Sequence, residues 1–541
     1  MKQNIEKEII SVLKNLGIEN PKVNFDYPAR FQLGDLSSNA AMAYAKELGY
    51  KPIDLAEEIR DELWDRKIPR IDRIDAVSPG FINFFFDADY FGKVDLKLIE
   101  CNTDRKYFIE HSQPNPFKEF HIGHLMNNVI GESVARIVKS TGAEVKTASY
   151  HGDVGLHVAK AVWALRQGIN LKEAYAYGSK AYEENEGAKK EITEINKKIY
   201  DKSDSGINKV YEEGRKQSLE YFEMLYEKLD SHFDYHFYES DSGPVGKKLV
   251  EENIGKVFEK SEGAVVFKGE NFGLHTRVFL NSDGLPTYEA KELGLAKIKK
   301  ETFPFDMSVT IVANEQDSFF DVVEIAIGEV FNELKGKLEH LSHGILKLPG
   351  GKMSSRTGNI ITAEALIDQV KEKIQEKMKD REMDAAQLDE ISEQVAIGAI
   401  KYSILRQAVG GDIVFDFDKS LSFEGDSGPY LQYSAVRANS LLKKTDGGDS
   451  KLPEKWTTTN LERLLVRFPE IAERAGREYA PHHIVTYLID LAGEFNSFYA
   501  DHKIIDADDP TSPYRIALTK AFSSVMTIGL DLLGIRIPQV M

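Results

Sequence analysis

Apolar positions along the chain change their period several times. Near the N-terminus Ile9, Ile10, Val12 and Leu13 recur at helical spacing, and a second helix is predicted from Ala40 to Leu48. After the Pro-Gly turn, SPGFINFFF alternates as a strand does, with Phe81, Asn83 and Phe85 on one face and Ile82, Phe84 and Phe86 on the other. From residue 101 to about 375, short apolar runs alternate with amphipathic stretches, the mark of an α/β fold. YFIEHS (107–112) predicts a strand, LMNNVIGESVARIVKSTG (125–142) a helix stopped by Gly142, and EVKTASY (144–150) the next strand, making a βαβ unit. SVTIVAN (308–314) and HLSHGILKL (340–348) predict two more strands. Between the strand at 144–150 and the strand at 308–314 lies a charged insertion, roughly Leu171 to Lys260, read as solvated helix without chemistry of its own. Beyond 376 the pattern is wholly helical, and Ile484, Leu488, Leu491, Phe495 and Phe498 form a stripe that marks core. The expected organisation is an N-terminal α+β domain over 1–100, an α/β domain over 101–375 and a C-terminal all-α bundle over 376–541.

Composition narrows the class. With 42% apolar and 29% charged residues, the 541-residue chain is expected to be an ordinary soluble protein of two to four domains. Cys101 is its only cysteine, which excludes an internal disulfide and a cysteine-ligated zinc site. There is no run of eighteen apolar residues, and MKQNIEKEII reads as a charged amphipathic helix rather than a signal peptide. No membrane association and a cytoplasmic location are expected. A net charge of −18 argues against indiscriminate polyanion binding, while leaving room for a local basic groove.

Two short stretches bear chemistry. HIGH (121–124) follows a predicted strand and opens a helix, where unpaired amides and the positive end of the helix dipole favour an anion. His121 and His124 share a face of the first turn, and Gly123 leaves room for a flat purine or ribose against the backbone. Alone, such a motif is as often a bland helix start as a pocket, and metal binding lacks a third ligand nearby. The second stretch, LKLPGGKMSSRTGN (346–359), is a strand entering a Gly-Gly hinge, then Lys352, Ser354, Ser355 and Arg356. Cations and hydroxyls on such a loop suit a pyrophosphate leaving group, although most polar loops are simply solvated.

The pair, on opposite halves of one α/β domain, resembles the class I aminoacyl-tRNA synthetases, whose Rossmann-type core holds ATP between these elements. The resemblance implies attack of an amino-acid carboxylate on the α-phosphate of ATP, with Mg2+ accompanying the nucleotide, and no protein nucleophile. It implies catalytic roles for His121, His124 and Lys352, and ATP contacts from His121, Gly123, His124, Lys352, Ser354 and Arg356. Ser355 stands where the family motif KMSKS has its second lysine.

The resemblance extends over essentially the whole chain to the arginyl-tRNA synthetases. Glu110, Pro114, Asn115 and Lys118 fit the arginyl pattern before HIGH. SYHGDVGLHVAK (149–160) is similar to HVGDWGTQFG, matching at Gly152, Asp153 and Gly155 and departing at Val154, Leu156 and His157. SDGLPTYEAKELG (282–294), VANEQDSF (312–319), LSFEGDSGPYLQYSAVRANSLL (421–442) and the terminal GLDLLGIRIPQVM also resemble arginyl segments. This implies that Glu110, Tyr288 and Glu292 hold the guanidinium, while Asn115 and Gln316 hold the α-amino group. The physical chemistry agrees, because a planar, permanently charged fork wants carboxylates. The family usually has Asp at the position of Glu292, and a methylene in a fitted pocket is worth roughly 1–3 kcal/mol.

The implied partners are L-arginine and tRNA(Arg), with a monomeric enzyme and no structural metal expected. Phe81 and Asn83 fall where the N-terminal domain of the family contacts the tRNA elbow; an aromatic and an amide on an open strand face suit an unpaired base. The C-terminal bundle is implied to bind the anticodon stem and loop. A cysteinyl enzyme is excluded by the single cysteine, and a glutamyl pocket would need cations in place of Glu110 and Glu292. A small-molecule nucleotidylyltransferase would be much shorter. A non-catalytic tRNA-binding relative would not need to keep His121, His124 and Lys352.

Overall fold

The computed structural model describes residues 1–92, 96–347, 361–381, 383–445, 452–454 and 456–541. Strands β1 (Phe25–Asp26), β2 (Leu36–Ser38), β3 (Ile71–Val77) and β4 (Phe81–Phe86) form an antiparallel sheet in the order β1-β2-β4-β3. The helices Lys2–Asn15, Ala40–Leu48 and Pro52–Asp65 bury their apolar stripes together with Ile82 and Phe84 of β4, so the alternation read from SPGFINFFF points the predicted residues inward.

The α/β region is built on β5 (Lys106–Glu110), β6 (Glu144–His151) and β7 (Tyr235–Tyr238), a small antiparallel sheet of β8 (Glu259–Ser261), β9 (Ala264–Phe267) and β10 (Arg277–Leu280), then β11 (Met307–Ala313) and β12 (Leu338–His343). Five of these strands run parallel in the order β12-β11-β5-β6-β7. The chain moves outward from β5 to β7 and then returns to the other side of β5 for β11 and β12. The crevice beyond the carboxyl ends of β5 and β11 is therefore the topological switch point, where open parallel sheets bind ligands.

Two strand readings are corrected. HLSHGILKL divides at Gly344 into β12 and a short β13 (Leu346–Lys347), which pairs in parallel with β14 (Ile413–Val414). The solvated insertion is shorter than read, because Tyr235–Tyr238 forms the sheet edge beside β6 and the helix Glu239–Glu252 packs on the helix Tyr288–Thr302. That packing is close: a Cβ on Gly246 would stand 1.7 Å from the Ala290 carbonyl oxygen. The remaining insertion helices, Leu171–Glu184, Glu186–Asp201 and Ser205–Lys228, are not bare to solvent. Ile192, Ile195, Ile199 and Ile207 share a core with Val158 and Val162 of the helix Leu156–Arg166.

The C-terminal region is helical, and the stripe from Ile484 to Phe498 is buried as read, along the helix His482–Asp501. The chain separates into two compact units, residues 1–97 with 438–468 and 490–525, and residues 98–437 with 469–489 and 526–541. In the first, Asp35 is buried, accepts the Phe86 amide at 2.8 Å and pairs with Arg463. In the second, Arg136 joins Glu132, Asp230 and Asp531 at 2.7, 2.9 and 3.0 Å.

Candidate active site

Immediately after β5 the backbone leaves ordinary geometry. Ser112, Gln113 and Phe117 have φ of 75, 54 and 66°, left-handed values that cost a non-glycine residue roughly 1–2 kcal/mol. Side chains from three other elements hold them there: the Ser112 amide donates to Asn127 Oδ1 at 2.6 Å, Gln113 to Ser149 Oγ at 3.3 Å and Phe117 to Ser218 Oγ at 2.9 Å. Strain maintained this way pre-organises the turn that carries Asn115.

His121 is the N-cap of the helix Ile122–Ser140. Its Nδ1 accepts the amides of Gly123 and His124 at 3.1 and 3.4 Å, and His124 Nδ1 accepts the His121 amide at 3.3 Å. The result is a capping box made from two imidazoles, with rings stacked 3.7 Å apart. Because each Nδ1 is an acceptor, the proton of each neutral ring sits on Nε2. Burial, helped by Lys118, pulls the His121 pKa down to about 4, and burial with His121, Lys118 and His151 nearby holds His124 well below its ordinary value. The pair therefore offers two uncharged N–H donors at neutral pH. Among the described residues no group of three His, Cys, Asp or Glu is arranged to hold a metal ion.

Both histidines line a cavity of about 520 Å³ at the switch point, a size suited to a small molecule. Its walls also carry Gly123, Gln113, Asn115, Asn314, Glu315, Gln316 and His343, so Asn115, His121, Gly123, His124 and Gln316 are brought to one place. Lys352, Ser354, Ser355 and Arg356 lie outside the described residues, but both flanks of that stretch reach the site. Leu346 lines the cavity, and on the other side the Ile122 amide donates to Ile361 O at 3.2 Å and the Ala363 amide to Phe120 O at 2.9 Å.

Asn115 is fixed through Oδ1, which accepts the Gly152 amide at 3.1 Å; its second lone pair and its amide nitrogen remain for a ligand. A Cβ on residue 152 would stand 2.5 Å from that oxygen, which is why glycine is needed there. His151 Nδ1 lies 2.8 Å from Pro114 O. Asp153 is wholly buried and accepts from Ser240 Oγ at 2.7 Å, the Ser240 amide at 2.9 Å and Arg215 Nε at 2.9 Å, tying the insertion to the core.

Beside the cavity lies an acid cluster. Gln113, which lines the cavity, donates from Nε2 to Glu110 Oε1 at 2.7 Å. Glu110 is buried, and Lys299 Nζ sits 3.0 Å from its Oε2. Glu239 is paired with Lys291 at 2.5 Å. Glu292 makes no ion pair or side-chain hydrogen bond among the described residues, and burial together with Glu110 pushes its pKa well above the usual carboxylate range. Tyr288 opens the same helix and is 62% exposed, with Lys291 Nζ 5.0 Å from its ring centre. Sequence reasoning missed Gln113, Glu239, Lys291 and Lys299. The one available signal was that Lys299 shares a helical face with Tyr288 and Glu292 among Leu293, Leu295 and Ala296.

On β4, Phe81 is exposed, but Asn83 does not share its open face. Asn83 is 5% exposed, and its Oδ1 accepts the hydroxyl of Ser37, its cross-strand partner on β2, at 2.6 Å. Phe85 is covered by the guanidinium of Arg73, 3.8 Å from the ring centre.

Comparison with known proteins accords with this architecture. A family profile described as tRNA synthetases class I (R), catalytic domain, matches residues 93–417. The arginyl-tRNA synthetase N-terminal domain matches 1–86, and the DALR anticodon binding domain matches 431–541. An arginine–tRNA ligase of Fusobacterium nucleatum is 30% identical over 93% of both chains, and one of Lactobacillus delbrueckii is 28% identical over 100% of both. Among solved structures, the arginyl-tRNA synthetases of Thermus thermophilus (TM-score 0.78, 24% identity, 100% of both chains) and Plasmodium falciparum (TM-score 0.81, 20% identity, 100% of this chain and 99% of that one) share the fold. With a catalytic-domain match over more than half its length, and with HIGH capping its helix at the switch point of a parallel sheet, the chain belongs to the class I arginyl-tRNA synthetases.

Proposed function

We propose that this enzyme activates L-arginine with ATP, giving arginyl-adenylate and pyrophosphate, and then passes arginine to the 3′-terminal adenosine of tRNA(Arg), releasing AMP. The observation that carries this reading is one switch-point cavity that joins two neutral imidazole donors to Asn115 and Gln316, beside an acid cluster with one unpaired carboxylate. Catalysis of this kind is positioning plus stabilisation of charge on the α-phosphate and the leaving pyrophosphate. His121 and His124 donate to the phosphate region, with Gly123 under the nucleoside; Lys352, Ser354 and Arg356 serve the leaving phosphates. Mg2+ arrives on the triphosphate as part of the substrate. Asn115 and Gln316 take the α-ammonium group, and Glu292, Glu110 and Tyr288 take the guanidinium.

The segment 1–100 faces the tRNA elbow through Phe81, and the helices beyond 376 face the anticodon. Phe81 is the supported contact of the pair read from the sequence, since Asn83 is held by Ser37. No helix among the described residues is long and apolar enough to cross a membrane, and we place the enzyme in the cytoplasm as a monomer. The decisive experiment is to charge a tRNA pool with each amino acid in turn. Arginine alone should be attached, and arginine-dependent ATP–pyrophosphate exchange should stay near background until tRNA(Arg) is added. Label from glutamate or lysine would refute the assignment. Lys352→Ala should slow adenylate formation far more than it weakens arginine binding; equal losses would remove the leaving-group role.

A further inference from the structure

The acid cluster holds more carboxylates than one guanidinium needs. Glu110 comes from β5, Glu239 from the helix Glu239–Glu252, and Glu289 and Glu292 from the helix Tyr288–Thr302. Three of the four carry a cation supplied by the chain itself: Lys299 on Glu110 at 3.0 Å, Lys291 on Glu239 at 2.5 Å and Arg277 on Glu289 at 3.6 Å. Four carboxylates less three cations leave one carboxyl without a cation, Glu292, which burial and Glu110 hold toward its protonated form until a cation enters. Tyr150 of β6 also faces the group; burial, with Glu292 next in effect, keeps its hydroxyl protonated, and it bonds Ser242 Oγ at 2.6 Å.

Stability does not account for these pairs. Lys299 is 4% exposed and Lys291 6%, and burying an ammonium sacrifices hydration that the Coulomb attraction of a single pair commonly fails to recover. An apolar pair of the same volume would hold the helix to the sheet as well or better. What an apolar pair would not do is fix the charge of the receptor. Lys299 also immobilises Glu110 together with Gln113, one on each carboxylate oxygen.

We propose that Lys299 is a specificity-determining positioning residue: by neutralising Glu110 from within the chain, it sets the arginine receptor at one negative charge, matched to one guanidinium. Lys291 does the same for Glu239. An empty receptor then has a single carboxylate to protonate, and a neutral isostere of arginine leaves that charge unanswered. The inference rests on the reading of Glu110 and Glu292 as the guanidinium receptor.

The test is the pH dependence of kcat/KM for arginine in tRNA(Arg) charging by the full chain, for wild type, Lys299→Met and Lys299→Arg. Removing the ammonium leaves Glu110 and Glu292 as two uncompensated neighbours that must share a proton. The acid limb of the Lys299→Met profile should rise by about one pH unit, a roughly tenfold loss at a fixed pH on the limb, and steepen toward two protons. Lys299→Arg should leave the limb in place. If Lys299→Met does not fold, Lys299→Gln, which keeps a donor for Glu110 without the charge, should show the same rise. A limb that coincides with wild type in a folded Met or Gln variant overturns the proposal. Glu292→Gln, measured alongside, separates the two layers. An unchanged arginine KM there defeats the receptor reading itself, whereas a raised KM with an unmoved Lys299→Met limb defeats only the role given to Lys299.

Discussion

The two ends of the catalytic cleft follow opposite electrostatic plans. At the HIGH end the donors are uncharged: both imidazoles spend Nδ1 on the helix cap, and burial keeps them neutral. At the acid end the groups are carboxylates, and Lys299, Lys291 and Arg277 balance all but one of the four. On the proposed assignment of ATP to the first end and arginine to the second, the contrast follows from the ligands. A triphosphate brings its own cation and gains from pre-aligned dipoles that do not titrate near neutrality, whereas a guanidinium is permanently charged and a buried site accepts it only by presenting one opposite charge.

The largest effect is expected at the neutral end. His124→Ala should lower tRNA-dependent ATP–pyrophosphate exchange by roughly 10²–10³-fold, as loss of one oxyanion donor does, with the arginine KM within about twofold of wild type. A KM rise as large as the rate loss would mean that the two ends are not separable. At the charged end, Glu292→Gln should cost roughly ten- to a hundredfold in kcat/KM for arginine and leave the ATP KM unaltered. Because the Glu292 pKa is raised in the empty site, arginine use by wild type should decline with falling pH while the carboxylates of ordinary proteins are still ionised. The ATP KM should stay level over that range, because His121 does not charge until about pH 4.

The smallest effect concerns the fold beneath the cleft. His111 and His151 are fully buried, and burial lowers both pKa values to about 3. The unfolded chain takes up protons at about pH 6.5 and the folded chain does not, so stability is lost as pH falls from 6.5 toward 3. Each histidine should contribute roughly 1.4 kcal/mol per pH unit, readable as a falling urea midpoint between pH 7 and 5. A His151→Asn variant should show a shallower decline, and an identical decline would place the titration elsewhere.

What could be read from the sequence depended on how local the signal was. The stripe from Ile484 to Phe498 and the strand-to-helix setting of HIGH were legible because periodicity and capping act within a few residues. β7 was missed because a four-residue, half-buried edge strand in a charged stretch carries little apolar pattern; its partner β6 lies over eighty residues away. Asn83 was placed on an open face by alternation alone, whereas it is buried and bonded to Ser37, 46 residues earlier. Lys299 and Lys291 drew no reading at all, since nothing near them in sequence announces Glu110 or Glu239.

The main-chain join between Phe120–Ile122 and Ile361–Ala363 has a genetic corollary. Peptide groups make it, so almost any side chain at these positions preserves it, and point substitution is a poor way to uncouple the histidine motif from the segment that begins at Ile361. Proline at 122 or 363, which removes the donating amide, is the exception, and a one-residue insertion or deletion would throw the two strands of backbone out of step. This join should thus constrain the length of the two segments more strictly than it constrains their residue types, which other contacts decide.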